Sequence, residues 1–315
     1  MSDFFQSGAM SVLVLRGGPG SEREVSLKSG AAVAGALRQA GCEVREADIG
    51  PDHLDALDGS REVVFPVVHG TFGEDGQLQG ILERRRLRYV GSDAASSHLA
   101  MDKFAAKRAF VAAGLYSPPA RLLFGDVSAD QDARIEAALD QVGVPVVVKP
   151  NCEGSSIGIG IAREREQARA MSHDVLGRFG DCLLERFVLG RELTLGILEG
   201  HELPLLEVCP AGGFYDYEAK YQVDTTEYRF DIDLPREVLA GAGAAARGAF
   251  YALGCRDFGR VDLIVDAEGR AWILEVNTLP GFTDHSLLPK AGAAIGMDLP
   301  GMCAEIVRLG AARSI

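Results

Sequence analysis

No stretch of this 315-residue chain approaches the roughly 20 consecutive apolar residues of a membrane-spanning helix. Its longest apolar runs, such as VVFPVV and VPVVV, have the length of buried strands. Cysteine is sparse and scattered: the six residues, at 42, 152, 182, 209, 255 and 303, include no CxxC pair, and the histidines do not cluster. That dispersal argues against a zinc site or a disulfide framework and suits thiols kept reduced. Positive charge is also short. With 45 acidic residues against 32 lysines and arginines the net charge is −13, so neither nucleic acid nor an anionic membrane is expected as a partner. The opening MSDFFQSGAM lacks a basic n-region and an h-region, so no secretory leader is expected and a cytoplasmic location is. An anionic substrate would have to be held by local lysines, glycine loops or metal. What is present is an ordinary globular composition, 47% hydrophobic and 24% charged, long enough for about two domains on length alone.

Hydrophobic periodicity divides the chain further. SVLVLR (11–16) reads as a buried strand running into Gly17 and Gly18, followed by a helical pattern through Gln39 and a strand near Val44, which is a βαβ beginning. Strands at 62–68 and 88–90 and a helix at 78–86 complete an open, mostly parallel sheet. A helix is expected from Asp102 to about Ala113, a strand at 121–124 and a helix at 129–141. VPVVVKP (144–150) enters NCEGSSIGIG and returns as a second strand instead of opening a helix, which excludes a Walker loop. A helix at 165–179 and a strand at 182–187 follow, then strands at 192–198 and 203–208, a long loop AGGFYDYEAKYQVDTTEY and a helix at 235–253. Three lobes result, meeting near residues 91 and 185.

GRVDLIVDAEGRAWILEVNTLPGF, Gly259 to Phe282, is the most informative stretch. Val261, Leu263 and Val265 alternate with Arg260, Asp262 and Ile264, and after the DAEG turn Trp272, Leu274 and Val276 alternate with Ile273, Glu275 and Asn277. A turn centred at Glu268 and Gly269 places Asp262 opposite Glu275 and Arg260 opposite Asn277, with Cβ atoms roughly 5 Å apart. Two facing carboxylates repel unless a cation lies between them, and carboxylates with an amide oxygen are the donors a hard ion such as Mg²⁺ selects. An exposed sheet face with chance pairing is the alternative. The glycine hairpin after Lys149 could cradle phosphate through its backbone N–H groups or serve only as a turn. Lys103 reads equally as a solvated surface lysine, and the RRRLR run at 84–88 as a solvated helix end. Glu22, in GGPGSEREVS, belongs either to a capped helix start, with Ser21 and Glu24 at capping-box spacing, or to the crevice at the strand ends of an open sheet. His69 shares that position at the end of the next strand. FYDYEAKY sits in a loop too long for a connection, which suggests a lid.

Taken in order, GGPGSEREVSL, HGTFGEDGQLQG, AMDK, VVKPNCEGSSIG, LLERFVLGRELT, FYDYEAKY, GRVDL and LEVNTLPGFTDHSLLP resemble the D-alanine:D-alanine ligases of the ATP-grasp superfamily from about Val12 to Leu309. The resemblance implies an α/β protein, α+β in its ATP-binding part, in which an open, mostly parallel Rossmann-like N-terminal domain precedes an ATP-grasp fold. The implied domains are 1–91 for substrate, 92–184 for the central ATP-grasp part and 185–315 for the C-terminal part with metal site and lid. The implied reaction is ATP-dependent joining of two D-alanines through an acyl phosphate, for peptidoglycan synthesis. A ligase of other amino acids in a specialised pathway, or a nucleotide-binding regulator without turnover, are the rival readings.

By the same resemblance Asp262, Glu275 and Asn277 would hold Mg²⁺ or Mn²⁺, usually two ions. Lys103, Lys149 and Lys220 would grip ATP phosphates; Phe214, Glu185, Arg186 and Val188 would line the adenine pocket, and Glu192 would hold the ribose. Glu22 would pair with the first substrate's ammonium, with His69 nearby, and would form a set with Ser155 and Tyr221 that closes the lid. Arg260 and the Gly281 N–H would stabilise the oxyanion, and Ser286 and the Leu287 N–H would take the second carboxylate. ATP and D-alanine are the implied partners, and relatives commonly pair as homodimers. Two departures stand out: Arg16 replaces an apolar or small residue, bringing an extra charge toward the crevice, and EYRFDIDLP lacks the PA-type segment usual after the lid.

Overall fold

A computed structural model describes residues 10–20, 22–60, 62–125, 130–154, 157–209, 226–283 and 285–313. The described residues form three sheets. In the first, β1 (Ser11–Gly17) lies between β2 (Glu43–Ile49) and β3 (Val63–Pro66), all parallel. Val12, Leu13, Val14 and Leu15 are fully buried, as expected of a parallel strand covered on both faces. Helix α1 (Arg23–Gln39) crosses between β1 and β2. It ends in a Schellman turn, Cys42 N–H to the Leu37 carbonyl and Gly41 N–H to that of Arg38, with Gly41 at φ +88° where a side chain would be strained. The strand expected at 88–90 shrinks to a parallel bridge from Tyr89 to Val64, after α2 (Gln77–Arg84).

The second sheet is antiparallel, in the order β4 (Ala120–Leu123), β7 (Cys182–Arg186), β5 (Val146–Pro150), β6 (Gly160–Ala162). Its apolar face packs under α5 (Gln131–Val142) and α6 (Arg165–Phe179). The β5–β6 pair is the glycine hairpin read from the sequence. β7 keeps its register with β5 to Arg186, so the division expected at 184/185 falls inside a strand.

The third sheet, also antiparallel, runs β10 (Glu227–Arg229), β9 (Leu205–Cys209), β8 (Arg191–Leu198), β11 (Phe258–Val265), β12 (Ala271–Asn277). Against it lies α7 (Arg236–Ala252), whose small residues Ala242, Ala246 and Ala249 let it approach Val261, Leu263 and Ile273. The segment after the expected lid finds its place here: β10 pairs with β9, and Ile232 is buried in this core.

An unanticipated helix, α3 (Ala94–Met101), precedes the helix expected from Asp102 to about Ala113, which is α4 (Lys103–Ala112). Asp102 closes the first and caps the second, accepting from Ala105 N–H at 2.9 Å. AASSHLA presents small residues on every face and so no apolar stripe to read. Ala100, Ala106 and Phe110 join the core of the third sheet. The last helices are α8 (Leu287–Ala294) and α9 (Leu299–Ala311). Met302, Ile306 and Val307 of α9 return to the first sheet, sharing a core with Val12, Val14 and Val33. Phe65 of β3, Phe258 of β11 and Phe282 pack ring to ring at centroid distances of 5.6 to 6.1 Å. That aromatic cluster fixes the end of the first sheet against the hairpin, and the crevice forms there.

Candidate active site

The β11–β12 hairpin has the register expected at its functional end: Arg260 faces Asn277 and Asp262 faces Glu275. Beyond that point a bulge intervenes, so Leu263 faces Ile273 and Leu274 is the extra residue. One expectation is thereby corrected. Simple alternation put Ile273 beside Glu275 and Asn277, whereas the bulge turns Ile273 into the core, fully buried near Leu263. Turn chemistry holds the far end, where one Asp266 carboxylate oxygen accepts the N–H groups of Glu268 and Arg270 and the other accepts the Trp272 indole.

Asp262 is nearly buried, and its carboxylate receives Arg260 as a fork, Nε at 2.9 Å and Nη2 at 2.7 Å. Thr194 Oγ1 adds a bond at 2.6 Å and Asn277 Nδ2 one at 3.0 Å. Glu275 lies 3.7 Å from Lys103 Nζ. The two carboxylates that would repel across the ladder are each offset by a cation. Among the described residues no group of three or more His, Cys, Asp or Glu is placed to hold a metal. The set Asp262, Glu275, Asn277 is instead two carboxylates and an amide, all oxygen donors, and that chemistry fits Mg²⁺ or Mn²⁺ and not zinc.

Lys103 is no surface lysine. Asn151 accepts from Phe104 N–H at 2.9 Å and donates to Asp102 at 2.9 Å, pinning the start of α4 to the end of β5. Lys103 is thereby buried, its Nζ donating to the Glu153 carbonyl. One turn on, Lys107 is buried as well and pairs with Glu185, which also accepts from Lys149 at 2.9 Å. Lys107 escaped the sequence reading, although its i, i+4 spacing from Lys103 placed both on one helix face. Two ammonium groups share one carboxylate, so this buried cluster carries an excess of positive charge. Burial, the largest influence, pulls the Lys107 pKa down to about 8 against the opposing pull of Glu185. Burial would also raise Glu185, but Lys107 and Lys149 together hold it below the usual carboxylate range. Arg186 is exposed and Val188 and Glu192 are half-buried at the strand ends around it.

The crevice at the ends of β1 and β3 collects Glu22, His69, Arg260, Gly281, Ser286 and Leu287 on one wall or another. An adjoining cleft is lined by Lys103 and Glu275, and the two have Glu74, Gly154 and Asn277 in common. Glu22 is buried between two glycine backbones: a Cβ on Gly70 or on Gly154 would each stand 2.9 Å from its Oε2. Glu22 lines the crevice and makes no side-chain cap bond, while Ser21 of the capping-box reading lies outside the described residues. His69 sits 3.7 Å from Glu74 through Nδ1 and 3.4 Å from Ser29 Oγ through Nε2. Burial alone would lower its pKa, but Glu74 and Glu22 outweigh burial and hold it above the ordinary histidine value. Ser286 precedes α8, its Oγ accepting from Thr283 N–H at 3.0 Å, and Leu287, the first residue of that helix, lines the crevice. A helix start of this kind suits a carboxylate. Arg16 departs from expectation: it pairs with Glu46 at 2.8 Å and does not line the crevice. Ser155, Phe214, Lys220 and Tyr221 lie outside the described residues.

A family model described as D-ala D-ala ligase C-terminus matches residues 111–308, and one described as D-ala D-ala ligase N-terminus matches 43–92. A curated relative named D-alanine--D-alanine ligase, from Chromohalobacter salexigens, is 43% identical over 98% of both chains. Another of that name, from Bordetella pertussis, is 41% identical over 93% of both. Among solved structures, the D-alanine--D-alanine ligase of Bacillus anthracis complexed with ATP superposes with a TM-score of 0.83 at 31% identity, covering 97% of this chain and 98% of that one. The VanG D-Ala:D-Ser ligase of Enterococcus faecalis gives a TM-score of 0.82 at 27% identity, covering 96% of this chain and all of that one.

Proposed function

This chain belongs to the D-alanine–D-alanine ligase family, and on that premise we propose that it joins two D-alanines at the expense of ATP, giving the dipeptide used in peptidoglycan synthesis. The observation that carries the reading is the continuity of the two clefts: Glu22, His69, Arg260 and Ser286 line one, Lys103 and Glu275 the other, and they meet at Glu74, Gly154 and Asn277. A phosphoryl donor on the lysine side and two amino acids on the Glu22 side would thus face one another without leaving the site.

In the proposed sequence the γ-phosphoryl group of ATP passes to a carboxylate oxygen of the first D-alanine, releasing ADP and leaving an acyl phosphate. The amine of the second D-alanine attacks the acyl carbon, and the tetrahedral adduct expels phosphate as the peptide bond forms. Glu22 holds the first ammonium, with His69 and Glu74 fixing the charge beside it. Lys103 and Lys149 grip phosphates, and Glu185, Arg186, Val188 and Glu192 surround the nucleoside. Arg260, locked by its fork to Asp262, and the Gly281 N–H serve the developing oxyanion, a task worth a few kcal/mol. Ser286 and the Leu287 N–H take the second carboxylate. Asp262, Glu275 and Asn277 would hold Mg²⁺, which supplies charge neutralisation on the transferred phosphoryl group. By the family resemblance Ser155, Phe214, Lys220 and Tyr221, which lie outside the described residues, would complete the site.

Purified protein given ATP, Mg²⁺ and a panel of D-alanine, D-serine, D-lactate and L-alanine tests this. D-Alanyl-D-alanine with matching ADP and phosphate is expected, with the highest kcat/KM for D-alanine. ADP release indifferent to every D-amino acid, or a preference for another amino acid at both subsites, refutes it.

A further inference from the structure

The RRRLR run has no part in the ligation site, and its surroundings give it another. A cavity of about 570 Å³ is lined by Arg86 and Arg88 from this run, Arg256 before β11, Arg313 after α9, and the carboxylates of Glu83 and Asp93. It shares no lining residue with either cleft of the ligation site. Four guanidiniums against two carboxylates make it positive in a chain whose net charge is −13.

The local charges do not cancel. Glu83 is engaged by the Tyr89 hydroxyl at 2.7 Å and the Ala94 N–H at 3.0 Å, and Asp93 meets Arg256 only at 3.7 Å. Arg256 and Arg313 stand over the Tyr89 ring and donate to the Gly91 carbonyl at 3.0 and 3.3 Å. Arg313 also pairs with Asp257 beneath the cavity, yet its Nε is buried with no hydrogen-bond partner. The guanidiniums of Arg86 and Arg88 make no hydrogen bond or ion pair with a described residue and are exposed. Arg86 is doubly unusual. It closes α2 at φ +54°, with Leu87 N–H bonded to the Leu82 carbonyl, the position where helices favour glycine. A charged side chain is thus kept where the backbone would prefer none.

We propose that this cavity is a binding site for a phosphorylated small molecule, the phosphate held by Arg86 and Arg88, whose two uncompensated positive charges match its dianion. Guanidinium forks suit phosphate geometry, and the volume exceeds what one inorganic ion fills. Because the walls come from the end of the first sheet, the start of β11 and the end of α9, an occupied cavity clamps all three around Gly91.

The test uses inorganic pyrophosphate titrated calorimetrically, with chelator present, into the full-length protein and into Arg86→Gly/Arg88→Gln. Glycine relieves the left-handed backbone at 86, so this variant is expected to fold and to keep its kcat and its KM for ATP. Pyrophosphate affinity should fall at least tenfold in the arginine variant and stay near the original value in Lys149→Met, which reports the nucleotide site. No binding to the unmodified protein, equal binding to the arginine variant, or loss confined to Lys149→Met would each overturn the proposal.

Discussion

Lys107 and Glu185 allow the buried charge beside the nucleotide cleft to be tested quantitatively. Burial lowers the Lys107 pKa from 10.5 to about 8 even with Glu185 alongside. At about 1.4 kcal/mol per unit this corresponds to a native-state cost of ~3 kcal/mol wherever both folded and unfolded forms are protonated, that is, at pH 8 and below. Above pH 8 the native state releases its proton while the unfolded chain keeps it. Stability from this group therefore climbs by about 1.4 kcal/mol per pH unit toward pH 10. Lys107→Met removes the cost and leaves Glu185 paired with Lys149 at 2.9 Å. The variant should be at least as stable as the parent at pH 7 and should lack the alkaline climb. Glu185→Gln does the opposite, stranding two buried ammonium groups at a cost of ~3–5 kcal/mol.

The functional consequence runs against the stability one. Without Lys107 the cluster loses its excess charge, so KM for ATP should rise severalfold in Lys107→Met while kcat changes less. Urea midpoints at pH 7, 8.5 and 9.5, read with steady-state KM for ATP, decide the matter. If Lys107→Met loses as much stability as Glu185→Gln, keeps the alkaline climb, or leaves KM for ATP untouched, then the excess-charge account of the cluster is wrong.

Two further substitutions probe the opposite ends of the site. Gly154→Ala places a Cβ 2.9 Å from Glu22 Oε2 and should raise KM for D-alanine about tenfold with little change in KM for ATP, the pattern of lost ground-state binding; equal shifts in both would remove Glu22 from ammonium binding. Glu275→Gln keeps shape and should leave thermal unfolding unchanged while lowering kcat by about 10²–10³-fold; near-normal kcat at saturating Mg²⁺ would remove it from the metal set.

How far the sequence sufficed depends on the range of the forces involved. Period-2 alternation and the turn residues anticipated the Asp262–Glu275 pairing, but the register set at the turn, with Val265 facing Ala271, would by itself bring Leu274 opposite Asp262, and the bulge restores the pairing. The bulge at Leu274 was not visible, since it adds one residue without altering composition, and it alone decides that Ile273 is core. Small residues hid α3, and nothing in Lys103 or Lys107 distinguishes a buried lysine from a solvated one. Their burial comes from Asn151 and Glu185, roughly 50 and 80 residues away in the chain, through contacts that only the fold creates. The family motifs singled out Lys103 through their combination, not through any property of the lysine itself.

The same distinction explains why the site is assembled as it is. Every carboxylate of the site sits with a cation or a donor already beside it: Asp262 with Arg260, Glu275 with Lys103, Glu74 with His69, Glu185 with two lysines. Buried charges of one sign would otherwise be forced to neutralise. Pairing places charges of both signs in the crevice before substrate arrives, which is the preorganised field that transfer of a phosphoryl group between two anions requires. The cost is carried by the scaffold, and Lys107 is where it is greatest: a lysine that no sequence pattern singled out, held charged between a carboxylate it shares and a second ammonium.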